Sequence, residues 1–157
     1  MSVKASADTL KGIPLFADCD AVHLQVLAFS APKMQFETGS SVVRQGYSGG
    51  GQLILSGSVT LQRDDGEGAQ IIGHAGPGAF LGEIAMISGR PFALTALAET
   101  DVETMRLDKE LLFRVAEEYP EFGARIFRAL SRRVDAAVSD LGDAKAVFDR
   151  ARSFSNL

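Results

Sequence analysis

Residues 78–96 read GAFLGEIAMISGRPFALTA, and the rest of the chain is read outward from them. Gly76, Pro77 and Gly78 make a turn just ahead of Ala79. Phe80 and Leu81 lead into Gly82 and Glu83, and a short apolar run fills 84–87. A second turn follows at Ser88-Gly89-Arg90-Pro91, and an apolar strand pattern begins at Phe92. A glycine ahead of an acidic residue, at the mouth of one helical turn, lets the backbone approach a ligand because no Cβ intervenes. The first N–H groups of a helix have no internal partner and can face an anion. An ordinary turn followed by one buried helical turn would leave the same letters.

The flanking sequence on both sides has strand character. From Lys33 onward, glycines recur at 39, 46, 49–51, 57, 66, 68, 73, 76, 78, 82 and 89. Between them lie short strand-like segments at 34–36, 41–43, 52–55, 58–62, 70–72, 94–98 and 102–107. Short strands at close spacing with Gly-rich turns predict a barrel or sandwich, here a jelly roll. Asp64-Asp65-Gly66-Glu67-Gly68 reads as a hairpin turn. Its acidic residues do not have the spacing of a calcium loop.

Helical texture brackets this region. Asp8 is a candidate cap for a short helix through Leu10, which Pro14 then ends. Asp18 or Asp20 can cap a second helix carrying Val22, Leu24, Val26, Leu27 and Phe29. His23 lies on that helix and is expected at the surface, exposed or half-buried. Asp108 can cap a third helix through Val115, and Pro120 marks the next boundary. A long helix should begin near Glu121. Its Leu130, Val134, Ala137, Leu141, Ala144 and Phe148 fall at spacings of four and three, a heptad seam. Charged neighbours keep that stripe narrow, which fits a parallel homodimer better than a helix lying on its own barrel. Gly142 is expected to end or bend the helix, and 153–157 to be disordered.

Bulk properties exclude several classes. A formal net charge of −4 with no long basic run argues against direct nucleic-acid binding. No apolar run approaches the ~20 residues of a membrane helix. The single cysteine, Cys19, excludes an internal disulfide, and with no secretory signal at the N-terminus the expected setting is the cytoplasm. Two histidines and one cysteine do not make a zinc or iron–sulfur site, and no nucleophile motif stands out, so neither a metal nor an enzyme activity is expected.

The order Phe80-Leu81-Gly82-Glu83-Ile84-Ala85-Met86-Ile87, a turn, Pro91, then Ala93-Leu94-Thr95 resembles the phosphate-binding cassette of cyclic-nucleotide-binding domains. The resemblance extends to Ile13-Pro14-Leu15-Phe16, Arg44-Gln45-Gly46 and Leu55-Ser56-Gly57-Ser58-Val59, and spans roughly 10–138. It implies a mainly β fold with flanking helices. The expected form is a double-stranded β-helix or jelly-roll barrel over about 33–107, with N-terminal helices and C-terminal helices over about 108–150. All of 1–157 would form one domain. The resemblance also implies cAMP or cGMP as ligand, Glu83 on the ribose, and the N–H groups of 82–85 with Ala93 on the phosphate. Thr95 is a weaker contact.

Three departures qualify the resemblance. Where the family usually carries an arginine after the cassette proline, this chain has Phe92. Arg90 stands two positions earlier, either turned to solvent or swung into the pocket. The hydroxyl pair that reads adenine in catabolite-activator-type members is replaced by Ala137 and Val138, with Ser139 next. Tyr47 and the triplet Gly49-Gly50-Gly51 replace the family's acidic and aromatic residues, which predicts a more flexible loop. Two functions are therefore expected. One is a stand-alone, dimeric sensor of a cyclic nucleotide or related anion, with no helix-turn-helix in a chain ending at Leu157. The other is a degenerate domain that binds no nucleotide and serves as a dimeric scaffold for an unnamed protein partner.

Overall fold

The computed structural model describes residues 2–132. The heptad positions from Val134 onward, the slots at Ala137 and Val138, Gly142 and the tail lie outside them. The elements in chain order begin with α1 (Val3–Lys11), a short 3₁₀ turn at Pro14–Phe16, and α2 (Ala21–Ser30). Then come β1 (Lys33–Phe36), β2 (Ser41–Val43), β3 (Gly51–Ser56), β4 (Val59–Asp64), β5 (Ala69–Ala75) and β6 (Phe80–Leu81). They are followed by α3 (Glu83–Ser88), β7 (Thr95–Ala98), β8 (Val102–Leu107) and α4 (Lys109–Glu118). A further helix is described over 120–132.

The eight strands form two antiparallel sheets, in the orders β1-β8-β3-β6 and β2-β7-β4-β5. This is the expected jelly roll with flanking helices. β2 and β8 have the boundaries that the sequence pattern set. β6, only two residues long and paired with Gln52 and Leu53 of β3, was not foreseen. A two-residue strand carries no periodicity, and its pairing partner fixes it. The turn at 64–68 joins β4 to β5, and Asp64 Oδ1 accepts from the N–H groups of Gly66 at 2.8 Å and Gly68 at 3.2 Å.

β3 and β8 divide the interior in two by the alternation of side chains along a strand. Leu53 and Leu55 of β3, with Met105 and Leu107 of β8, pack under the helices. Ile54 and Val102 point the other way, into the barrel. Thr104, fully buried, donates from Oγ1 to Gln52 Oε1 at 2.7 Å, so each polar group has a partner. The helical cluster gathers Leu10, Phe16, Leu24, Leu111, Val115 and Phe122. Burial there pushes the Cys19 thiol up to about 11, which keeps it protonated and unreactive.

Two helix details differ from expectation. The cap of α1 is Ser2, whose Oγ accepts from Ala5 N at 3.1 Å, and Asp8 lies inside the helix. His23 is buried, with 8% exposure, rather than at the surface. Its ring lies 5.0 Å from that of Tyr119 and meets Phe122 edge-on at 6.4 Å. The sequence hides this because the burying partners arrive from the C-terminal helices, about a hundred residues on. Asp20 holds the N-cap position of α2, and Asp108 caps α4 by accepting from Leu111 N at 2.8 Å.

Candidate functional site

The cassette folds around Gly82. β6 ends at Leu81, Gly82 takes φ +76° in the left-handed region, and α3 starts at Glu83. An L side chain adopts that conformation only with strain. Space gives a second reason for glycine. A Cβ on Gly82 would fall 2.5 Å from Phe92 Cε1. α3 ends at Gly89, and the chain turns through Pro91 to Phe92. The Phe92 backbone is tied on both sides: its N–H donates to Tyr47 O at 2.8 Å, and its carbonyl accepts from Gly46 N at 3.0 Å.

The Phe92 ring is buried within the barrel cluster that includes Val42, Ile54, Ala85 and Ala96. A Cβ on Gly49 would approach the same ring to 3.3 Å, and one on Gly51 would fall 2.6 Å from Phe80 Cζ. The glycine triplet, expected to act as a looser loop, thus makes room for two phenyl rings. Sequence reasoning took the triplet and Phe92 as separate departures. The structure places Gly49 against Phe92.

Beside α3 lies a cavity of about 490 Å³. Gly82, Glu83, Ile84, Ala85, Phe92 and Ala93 border it, so six of the eight residues singled out from the sequence meet there. Arg90 and Thr95 are not among its lining residues. Arg90 is exposed, and its N–H donates to Ser88 Oγ at 3.2 Å. Thr95 Oγ1 accepts from Gln45 N at 3.0 Å. Ala79, Phe80, Leu81 and Pro91 of the same stretch also line it, and the sequence did not point to the remaining four, Val43, Leu61, Ala75 and Leu94. The alternation Val59, Leu61 in β4 was the one signal available for Leu61.

Glu83 is the one ionisable side chain among the described residues that line this cavity. The Arg44 guanidinium lies over the Tyr47 ring at 5.3 Å, and Arg106 lines a separate hollow with Asp108 and Lys109. Neither His74 nor Cys19 borders the cavity. His74 Nδ1 instead meets Glu99 Oε1 on the outer surface. Among the described residues, no group of three or more metal-ligating side chains comes together. No helix among them is long and apolar enough to cross a membrane.

α3 stands between this cavity and a second, apolar hollow of about 290 Å³. Ala85 borders the first, while Met86 and Ile87 border the second together with Leu112, Phe127 and Leu130. α3 thus has one face on the barrel cavity and the other on the hollow lined by α4 and the helix over 120–132.

The family model described as "Cyclic nucleotide-binding domain" matches residues 33–119, more than half of the chain. Among solved structures, the chain is similar to the N-terminal domain of a transcriptional regulator from Streptomyces coelicolor. Identity is 26% and the TM-score 0.76, over 83% of this chain and 94% of that one. It is also similar to a cyclic nucleotide-binding-like protein from Brucella abortus, at 30% identity and a TM-score of 0.65. That match covers 71% of this chain and 97% of that one. The regulatory domain of Toxoplasma gondii PKA, solved with cAMP, shares the fold at 20% identity and a TM-score of 0.66. It covers 85% of this chain and 50% of the other.

Proposed function

Because the chain belongs to the cyclic nucleotide-binding domain family, we propose that it is a regulatory module that takes a small ligand in the barrel cavity and signals through its C-terminal helices. The observation that carries this reading is the position of α3. Its Ala85 borders the cavity, and its Met86 and Ile87 border the hollow against α4 and the 120–132 helix. A ligand that bound one position of α3 better than another would shift the helices with it. Glu83 would hold a sugar hydroxyl, and the N–H groups of 82–85 with Ala93 would face a phosphate. We assign no reaction to it, and propose a cytoplasmic setting for a chain whose one cysteine is a buried thiol.

Cyclic nucleotides themselves should bind weakly. A hydrogen bond to a charged group contributes about 1.5–3 kcal/mol, so exchanging the guanidinium for a phenyl ring lowers affinity by about one to two orders of magnitude. Calorimetry with cAMP and cGMP tests this. Heat at micromolar ligand supports a nucleotide sensor. Silence at millimolar ligand, with binding regained in Phe92→Arg, supports the second reading, a scaffold without a nucleotide. That reading is favoured by the burial of the Phe92 ring beside Gly82. In either case we propose a homodimer through the heptad seam. Phe127, three residues before Leu130, extends that seam and is 72% exposed. Leu141→Asp should give a monomer on a sizing column, and an unchanged elution volume would refute the seam.

A further inference from the structure

α3 is too short to hold itself. It has six residues, Glu83–Ser88, between two left-handed glycines, Gly82 at φ +76° and Gly89 at φ +73°. Helices shorter than about 12–15 residues are marginal on their own, so the place of α3 is set by what it packs against. Its N-cap is a glycine, with no side chain to bond the first N–H groups. Its buried residues are Ala85 and Met86, and Ala85 lies in the same cluster as Phe92.

The Phe92 ring reaches from the mouth of α3 to the loop ahead of β3. One edge lies against Gly82, where an added Cβ would fall 2.5 Å from Cε1 and 2.9 Å from Cδ1. The opposite edge lies against Gly49, where an added Cβ would fall 3.3 Å from both Cε2 and Cζ. On the loop side the Phe92 backbone is fixed by its bonds to Tyr47 O and Gly46 N. A stiff ring packed between two backbones passes a displacement of one to the other. We infer that Phe92 is a latch that seats α3 without a ligand: the chain's own ring joins the loop at 46–49 to the start of the helix. The ring is then what a ligand would have to displace in order to move α3. The latch is a property of the chain alone and does not depend on which ligand enters the cavity, or on whether one does.

Amide exchange of the full chain, read residue by residue by NMR, tests the latch. The N–H of Met86 donates to Gly82 O and that of Gly89 to Ala85 O, both at 2.9 Å, so these two report on α3. The N–H of Leu112, bonded to Asp108 O, and that of Tyr119, bonded to Val115 O, report on α4. Phe92→Ala should speed exchange at Met86 and Gly89 by about tenfold or more, and at Leu112 and Tyr119 by less than about twofold. Phe92→Leu keeps an apolar side chain but cannot span both glycines. It should give a smaller acceleration at the same two amides, and it serves if the alanine variant does not fold. Unchanged exchange at Met86 and Gly89 would mean that other contacts seat α3, and the inference fails. Equal acceleration in α3 and α4 would mean that the ring supports the whole fold, and the inference fails again. Neither failure touches the ligand reading, which calorimetry on the unaltered chain decides separately.

Discussion

Phe122 and Phe92 are both buried phenylalanines, and they sit in cores of different character. Phe122 is fully enclosed, packed among the N-terminal helices and α4, with His23 edge-on to its ring. Phe92 packs against the backbone at Gly82 and Gly49 and also borders a cavity. Truncating a fully enclosed ring such as Phe122 leaves a void that its neighbours can close only in part. The barrel core already has space beside its largest ring. Truncation is therefore expected to cost more at the first ring than at the second.

The comparison is broken most directly by truncating each ring. Phe122→Ala should cost about 3–5 kcal/mol in urea unfolding, because an enclosed site leaves a cavity behind. Phe92→Ala should cost less, about 1–3 kcal/mol, since its neighbours already face open space. Equal losses would mean that the two cores are alike.

Gly82 sharpens the barrel side. Gly82→Ala should cost about 2–4 kcal/mol, from the left-handed backbone and from the collision with Phe92 together. In a Phe92→Ala background only the backbone part should remain, about 1–2 kcal/mol. A double-mutant cycle measures the difference, and strict additivity would show that the ring does not press on Gly82.

A smaller effect is expected on the helical side, where Asp108→Ala removes the cap of α4. It should cost about 1 kcal/mol in the same unfolding assay and leave ligand binding in the barrel untouched.

The smallest effect concerns pH. Glu99 accepts from Thr60 Oγ1 at 2.5 Å and Ser58 Oγ at 3.0 Å, and meets His74. The hydrogen bonds from Thr60, His74 and Ser58 hold its carboxyl below the ordinary glutamate value. A depressed folded-state value stabilises the fold above the unfolded value, and the gain is lost as pH falls through the folded one. Unfolding of Glu99→Gln should therefore depend less steeply on acid pH. The group lies at the surface, in contact with solvent, so screening keeps the effect small.

How much of this was legible in the sequence follows from the reach of each interaction. The strands at 41–43 and 102–107 and the hairpin turn at 64–68 were written locally, in alternation and turn chemistry. The order of cassette residues identified the family and brought six site residues to one cavity. The sequence did not show which way Arg90 would point, since a turn residue beside a proline can face either side. Nor did it show that Thr95 Oγ1 would be engaged by Gln45, fifty positions away.

By itself, then, the sequence determined the jelly roll, the helices around it and the place of α3, because each rests on spacing between near neighbours. Only the tertiary structure decided that His23 is buried, that Gly49 and Gly51 make room for Phe92 and Phe80, and that Leu61 and Ala75 share a wall with Glu83. Those outcomes depend on strand pairing and helix docking between segments far apart in the chain. Pairing fixes distances that no local pattern encodes.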